Sequence, residues 1–395
     1  MRRTWITAKA LSLAGMLLAS GCSSFDPAAP LRSREIWYPE PIPESWWPSR
    51  VTTDLEQAIE AAPLVLRARP SDVPEELAED SEVVTRHPYV RVATAMPFGQ
   101  GVVRVLRPSD REGRLSQADQ LPQFEFTSIT DSSRPLANAV TGELFELMEP
   151  RGEPRGLVVG LAGAGAAQEL WEELRERGYA VLKSELRRVV REPVTVHILS
   201  DRDLDPAARE IARAVDDRLA EKAYAVEALL SYLAARRPDL PSRPLVLTGL
   251  GLGAAAIPVV AARLGRRIDA TVLVGSGANL LEICLTGDLK DGGIEVISPD
   301  GELSLEAFNW LSDLYLAESH LDPFHTSRFL GRSPVLMLQA RFDEVVPAWT
   351  GELLFQRLGR PDRVRYLGDH DDILDEAASQ ADWIGDWVDR ATENR

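Results

Sequence analysis

Leu245-Val246-Leu247-Thr248-Gly249-Leu250-Gly251-Leu252-Gly253-Ala254 is the stretch on which the fold turns. It opens as a short apolar run, the pattern of a strand buried on both faces. It then passes through three alternating glycines into Ala254–Leu264, which reads as a helix. Glycine suits a sharp strand-to-helix turn in two ways. It lets two backbones approach closely, and it adopts positive φ at little cost.

The segments on either side repeat the alternation. Leu157-Val158-Val159-Gly160-Leu161 is a buried strand, followed by a small-residue turn and a helix from Ala167 to Arg177. Tyr179–Leu182 is the next strand. Asp205-Pro206 reads as an N-cap with proline at the first helical position. Ile211, Val215, Leu219, Ala223, Val226, Leu230 and Leu233 then recur at spacings of three and four, one apolar helix face. Pro244–Thr248, Thr271–Val274, Pro334–Leu338 and Arg363–Leu367 are strands. Alternating strands and helices predict an α/β fold with a mostly parallel sheet covered on both faces. Upstream, Val102–Leu106, Phe124–Phe126 and Gly142–Leu147 read as strands, Asp54–Leu66 as a short helix and Pro70–Glu82 as an acidic loop.

The glycine stretch resembles the nucleophile elbow of the α/β hydrolases, strand–Gly-x-Ser-x-Gly–helix, with Gly249 and Gly253 as the outer glycines. Gly251 stands at the nucleophile position and has no hydroxyl with which to form an acyl-enzyme. The family order is nucleophile, acid, histidine. Asp343 follows the strand Val335–Leu338 in Arg341-Phe342-Asp343-Glu344-Val345-Val346-Pro347, similar to the family's acid motif. His370, in Gly368-Asp369-His370, follows the strand Val364–Leu367 and stands where the family places its histidine. The 26 residues between them leave room for one helix and one strand. Asp322-Pro323 matches a further family feature. The resemblance spans about 124 to 388 and implies an α/β-hydrolase fold with an oxyanion hole made by the N–H groups of Leu252 and Ala164. Ser276, at the end of the strand beside the elbow strand, is a candidate substitute nucleophile. Ser184 and Glu185 end another strand.

Bland readings compete at each position. His370 alone is a loop histidine among Asp369, Asp371 and Asp372, and Asp343 alone is a turn residue; their order along the chain favours descent from a triad. The acidic loop reads as solvated rather than as a metal site. His87, His197, His320 and His325 lack metal-ligand spacing and receive no role. No metal and no cofactor are expected. Residues 278–330 form an apolar insertion at the cap position, either a helical cap over the crevice or a helix on the sheet edge, and both are compatible with a covered apolar pocket.

The N-terminus reads as an export signal: Arg2-Arg3, a short apolar run from Ala10 to Ala19, then Ala19-Ser20-Gly21-Cys22. The run is shorter than the ~20 apolar residues of a spanning helix. The segment resembles a bacterial lipoprotein signal, which implies acylation of Cys22 and anchoring to a bacterial membrane. Ala19 departs from the leucine common in that class, and Arg2–Ile6 faintly resembles a twin-arginine signal. The domain layout is then signal 1–21, Pro/Ser-rich tether 22–50, N-terminal extension 51–123 and α/β-hydrolase domain 124–395. The tether carries Trp37, Tyr38, Trp46 and Trp47, aromatic enough to suggest docking on the body or contact with the membrane interface. Cys22 and Cys284 are the only cysteines, so no disulfide framework holds the fold.

A net charge of −17, nearer −20 after loss of Arg2, Arg3 and Lys9, argues against nucleic-acid and anionic-lipid partners. Membrane contact would come from the acyl chain. Three functions follow in order. The first is a non-hydrolytic relative binding a small-molecule ligand or envelope protein. The second is a hydrolase or lyase acting on an ester- or amide-type substrate through His370 and Asp343, with water or a relocated serine. The third is a structural envelope interaction protein.

Overall fold

The computed structural model describes residues 42–48, 92–98, 101–107, 123–128 and 143–393, apart from breaks at 164–167, 187, 191–192, 238, 241–242, 266–267, 290–291, 300 and 302. The readings at 54–66 and 70–82, the signal and most of the tether fall outside them.

Ten strands form one sheet. In chain order they are β1 (Val92–Phe98), β2 (Gly101–Arg107), β3 (Gln123–Ser128), β4 (Glu143–Met148), β5 (Gly156–Ala162), β6 (Tyr179–Glu185), β8 (Leu245–Leu250), β9 (Ala270–Val274), β11 (Val335–Ala340) and β12 (Asp362–Tyr366). Their spatial order is β1-β2-β3-β4-β6-β5-β8-β9-β11-β12. The first four run as an antiparallel meander, and β4 joins β6 antiparallel. From β6 to β12 every pairing is parallel. β1 and β2 therefore continue the main sheet. The chain steps outward from β5 to β6, then returns to the other side of β5 as β8. That reversal makes the carboxyl ends of β5 and β8 a topological switch point, where crevices open in such sheets.

Successive side chains of a strand face opposite sides of the sheet. Val158 and Val159 are both fully buried, but in different layers. One layer packs under α1 (Gln168–Glu176), α8 (His370–Ser379) and α9 (Ala381–Glu393), through Trp171, Ile373 and Ile384. The other packs under α2 (Leu204–Arg236), α3 (Leu252–Leu264) and α7 (Ala348–Arg357). The seven-residue apolar stripe read for α2 is buried throughout.

The start of α2 differs from the sequence reading. Asp205 and Pro206 lie inside the helix, which begins at Leu204. A 3-10 turn, Asp201–Asp203, feeds it, and Ser200 and Asp203 form a reciprocal capping box there. The cap function moved upstream because two residues outside the apolar periodicity supply it.

The insertion holds α4 (Leu280–Thr286), β10 (Ile294–Ile297), α5 (Leu305–Glu318) and α6 (Pro323–Thr326). β10 pairs in parallel with β7 (Val194–His197), a two-stranded ladder the sequence did not suggest. Leu311, Tyr315 and Leu316 of α5 are buried in the layer that also holds α2, while Leu305 and Trp310 stay exposed. Two buried carboxylates hold the stem of the insertion. Asp216 of α2 accepts from Ser319 Oγ and from the backbone N–H groups of His320 and Leu321. Asp322 accepts from the N–H groups of Asn279, Leu280 and Phe324 and from the Tyr315 hydroxyl. Burial pushes Asp216 up to about 7 and raises Asp322 as well.

The end of the tether docks on the body. Trp47 is buried against Tyr224, and the Arg263 guanidinium lies over both rings while bonding Glu44 and Glu227. The Tyr224 hydroxyl donates to Pro48 O, and Trp46 stacks on His320 with ring centroids 4.4 Å apart.

Candidate functional site

The elbow sits at the switch point. β8 ends at Leu250 and α3 starts at Leu252, leaving Gly251 alone at the apex with φ 54° and ψ −129°. The three glycines answer different needs. A Cβ on Gly253 would fall 2.4 Å from the backbone carbon and oxygen of Leu161, and one on Gly249 would fall 2.4 Å from Ala254 Cα. Those two glycines let helix, elbow strand and β5 touch. Among the described residues other than its chain neighbours, a Cβ on Gly251 would meet only His370, at 3.2 Å from Nε2 and 3.7 Å from Cε1. Its constraint is the sparsely populated backbone conformation, which costs an ordinary residue roughly 1–3 kcal/mol.

Asp343 and His370 meet above this apex. His370 Nδ1 lies 2.9 Å from Asp343 Oδ2 and 3.1 Å from Oδ1. Both residues are buried, with 9% and 8% exposure for His370 and Asp343. The N–H groups of Val345 and Val346 also donate to Asp343 Oδ1, so the acid is fixed by its own turn. His370 is the first residue of α8, whose N-terminus is closed by a reciprocal capping box between Asp369 and Asp372. The acidic cluster around His370 is in part this helix cap, a placement that acidic groups favour at helix N-termini. Gly275, at φ 56°, is a further neighbour that sequence reasoning missed. A Cβ there would fall 3.0 Å from His370 Cε1, so glycine at this strand end leaves room for the imidazole. Its sequence signal was a glycine directly after a buried strand.

The oxyanion pair is half visible. The Leu252 N–H is the first of α3 and has no intrahelical acceptor. Gly163, at the end of β5, donates its N–H to Leu250 O at 3.0 Å and lies beside Leu252. Ala164 is outside the described residues. Ser276 is 3% exposed, and the structure forms no hydrogen bond between its hydroxyl and His370. Ser184 Oγ instead accepts from the buried Lys222 ammonium, on the layer under α2. Burial pushes the Cys284 thiol up to about 12. His325 bonds Leu316 O, and burial brings it down to about 4.

A cleft of about 460 Å³ opens beside the acid loop, between Gly287-Asp288 and Glu344–Trp349, with Asp343 in its wall. It is open and partly acidic. Leu311, Tyr315 and Leu316 of α5 pack on the body. Neither Gly251 nor His370 lines this cleft, so the elbow and the cleft are neighbouring features.

A parallel sheet that reverses at β5/β8, an antiparallel β4 beside β6, an elbow after β8 and an Asp–His pair after β11 and β12 together define the α/β-hydrolase fold. No family model matches the chain, and no curated protein matches it. Among solved structures it is similar to TT1662 from Thermus thermophilus, at 21% identity over 63% of this chain and 94% of that one, with a TM-score of 0.37. Est1E from Butyrivibrio proteoclasticus is similar at 16% identity over 64% of this chain and 95% of that one, with a TM-score of 0.41. The esterase domain of a Rhodothermus marinus protein follows at 17%, 64% and 95%, with a TM-score of 0.39. These scores and identities are low, and the fold assignment rests on the strand order and the elbow.

Proposed function

We propose that this protein is an exported, lipid-anchored relative of the α/β hydrolases that binds a ligand or partner at the elbow crevice and forms no acyl-enzyme. One observation carries the reading: the apex residue at φ 54° is Gly251, so the Asp343–His370 pair faces a position with no attacking atom. Acyl transfer by this fold needs an activated nucleophile beside the base. The remaining groups, a buried imidazole and an uncapped helix N-terminus, are hydrogen-bonding groups suited to holding a ligand.

The direct test is an ester, amide and lactone panel on the wild type and on His370→Ala. The reading expects no turnover that depends on His370; turnover abolished by His370→Ala would overturn it. A second reading has its own support. His370 Nε2 has no hydrogen-bond partner among the described residues, and an imidazole held by a carboxylate can act as general base on a water. The same panel decides between them, because only the second expects His370-dependent hydrolysis. Export and anchoring at Cys22 complete the proposal. Metabolic labelling with a radiolabelled fatty acid should be lost in Cys22→Ala; labelling that persists would contradict the anchor.

A further inference from the structure

The groups around Gly251 have a definite hydrogen-bonding character. Asp343 faces Nδ1 through its carboxyl oxygens, and Oδ1 already accepts from two backbone N–H groups. A carboxylate cannot donate, so Nδ1 of His370 carries the proton. In the neutral ring Nε2 is then a lone-pair acceptor. It has no partner among the described residues, its side chain is 11% exposed, and it looks at the apex. The point where a side chain of residue 251 would begin lies 3.2 Å from Nε2. Apart from the flanking residues, no other described atom except His370 Cε1 lies within 4 Å of that point.

On the other flank of the same Cα is the Leu252 N–H. It opens a helix of 13 residues, Gly251 supplies no side-chain cap, and the N–H has no acceptor within the helix. Gly163 borders this N–H, since a Cβ there would lie 3.9 Å from Leu252 N. An acceptor and a donor therefore border one void.

We infer that this void is a subsite for a hydroxyl group supplied by the ligand, its O–H donating to His370 Nε2 and its oxygen accepting from the Leu252 N–H. The inference rests on the binding reading above and names the chemical group that reading left open. A hydroxyl is the neutral group that is donor and acceptor at one atom. An ether or carbonyl lacks the donor, and an ammonium lacks the acceptor. A carboxylate would have to bring a proton and sit next to Asp343, in a chain of net charge −17. The ligand class is thus an alcohol, with a water of the same hydrogen bonds as the occupant it displaces.

The experiment uses the full chain with 15N-labelled histidine and follows the His370 Nε2 resonance. Three probes are titrated: benzyl alcohol, benzyl methyl ether and benzoate. Benzyl alcohol should move the resonance saturably and bind about fivefold tighter than the ether, the factor that one hydrogen bond of ordinary net strength provides. Gly251→Ser, which carries its own hydroxyl into the void, should weaken benzyl alcohol by a similar factor. Ether binding equal to the alcohol, benzoate binding tighter, or unchanged alcohol affinity in Gly251→Ser would overturn the hydroxyl subsite and leave the crevice as a binding site. No response to any probe would also overturn the subsite. Failure of the underlying binding reading is seen separately, as His370-dependent turnover.

Discussion

Alanine at two positions of the elbow should separate the two reasons for glycine there. At Gly251 the new methyl would lie 3.2 Å from His370 Nε2, a contact relieved by a shift of a few tenths of an ångström in one side chain. The main penalty is the backbone conformation, φ 54° with ψ −129°, roughly 1–3 kcal/mol for a residue with a Cβ. At Gly253 the methyl would lie 2.4 Å from the carbon and oxygen of Leu161 and 2.5 Å from the nitrogen of Ala162. Those atoms belong to β5, fully buried and paired on both sides, so α3 must lift off the sheet. Overpacking a core costs about 1–3 kcal/mol and more where backbone must move. Gly253→Ala is therefore expected to cost at least ~3 kcal/mol, a large share of the ~5–15 kcal/mol that stabilises an ordinary domain. Urea denaturation followed by far-UV circular dichroism measures both, with the midpoint shift converted through an unchanged slope. A Gly253→Ala protein as stable as Gly251→Ala would refute the packing argument.

Two further outcomes follow from groups away from the elbow. Asp216 titrates near 7 in the folded protein against about 3.9 unfolded, so between those values the folded state holds the extra proton and its stability falls as pH rises. The stability difference between wild type and Asp216→Asn should shift against the wild type by on the order of 4 kcal/mol from pH 4 to pH 7, and a pH-independent difference would remove this account. Trp47→Ala empties a buried site between Tyr224 and Arg263 and should cost about 3–5 kcal/mol in the same denaturation assay; a loss below 1 kcal/mol would mean the tether end contributes little to the fold.

The parts of this structure legible in sequence are those whose signal is local. The apolar runs of β5 and β8 read as strands because both faces are buried, and the stripe of α2 read as a helix because only one face is. The glycine spacing located the elbow, and the order of Asp343 and His370 after two apolar strands suggested a pair. What escaped depends on distant partners. The β7–β10 ladder joins segments about a hundred residues apart, each only four residues long. The start of α2 depends on Ser200 and Asp203, polar residues outside the periodicity. Asp369 and Asp372 read as a solvated acidic loop because their reciprocal hydrogen bonds exist only once α8 has formed. The apolar content of the insertion signalled burial but not against what, and α5 packs in the layer that holds α2. Gly275 gave a signal as plain as those of the elbow glycines, yet its reason, the imidazole of His370, lies 95 residues further along.

The central claim is that the elbow retains its turn and its Asp–His pair, and that the residue at its apex is what bars acyl-enzyme chemistry. Gly251→Ser, treated with a fluorophosphonate probe alongside wild type and the double variant Gly251→Ser/His370→Ala, tests it most directly. The account predicts no labelling of the wild type, labelling at residue 251 in the single variant, and loss of that labelling in the double variant. A single variant that folds like the wild type but does not label, or a wild-type protein that labels on its own, would contradict it.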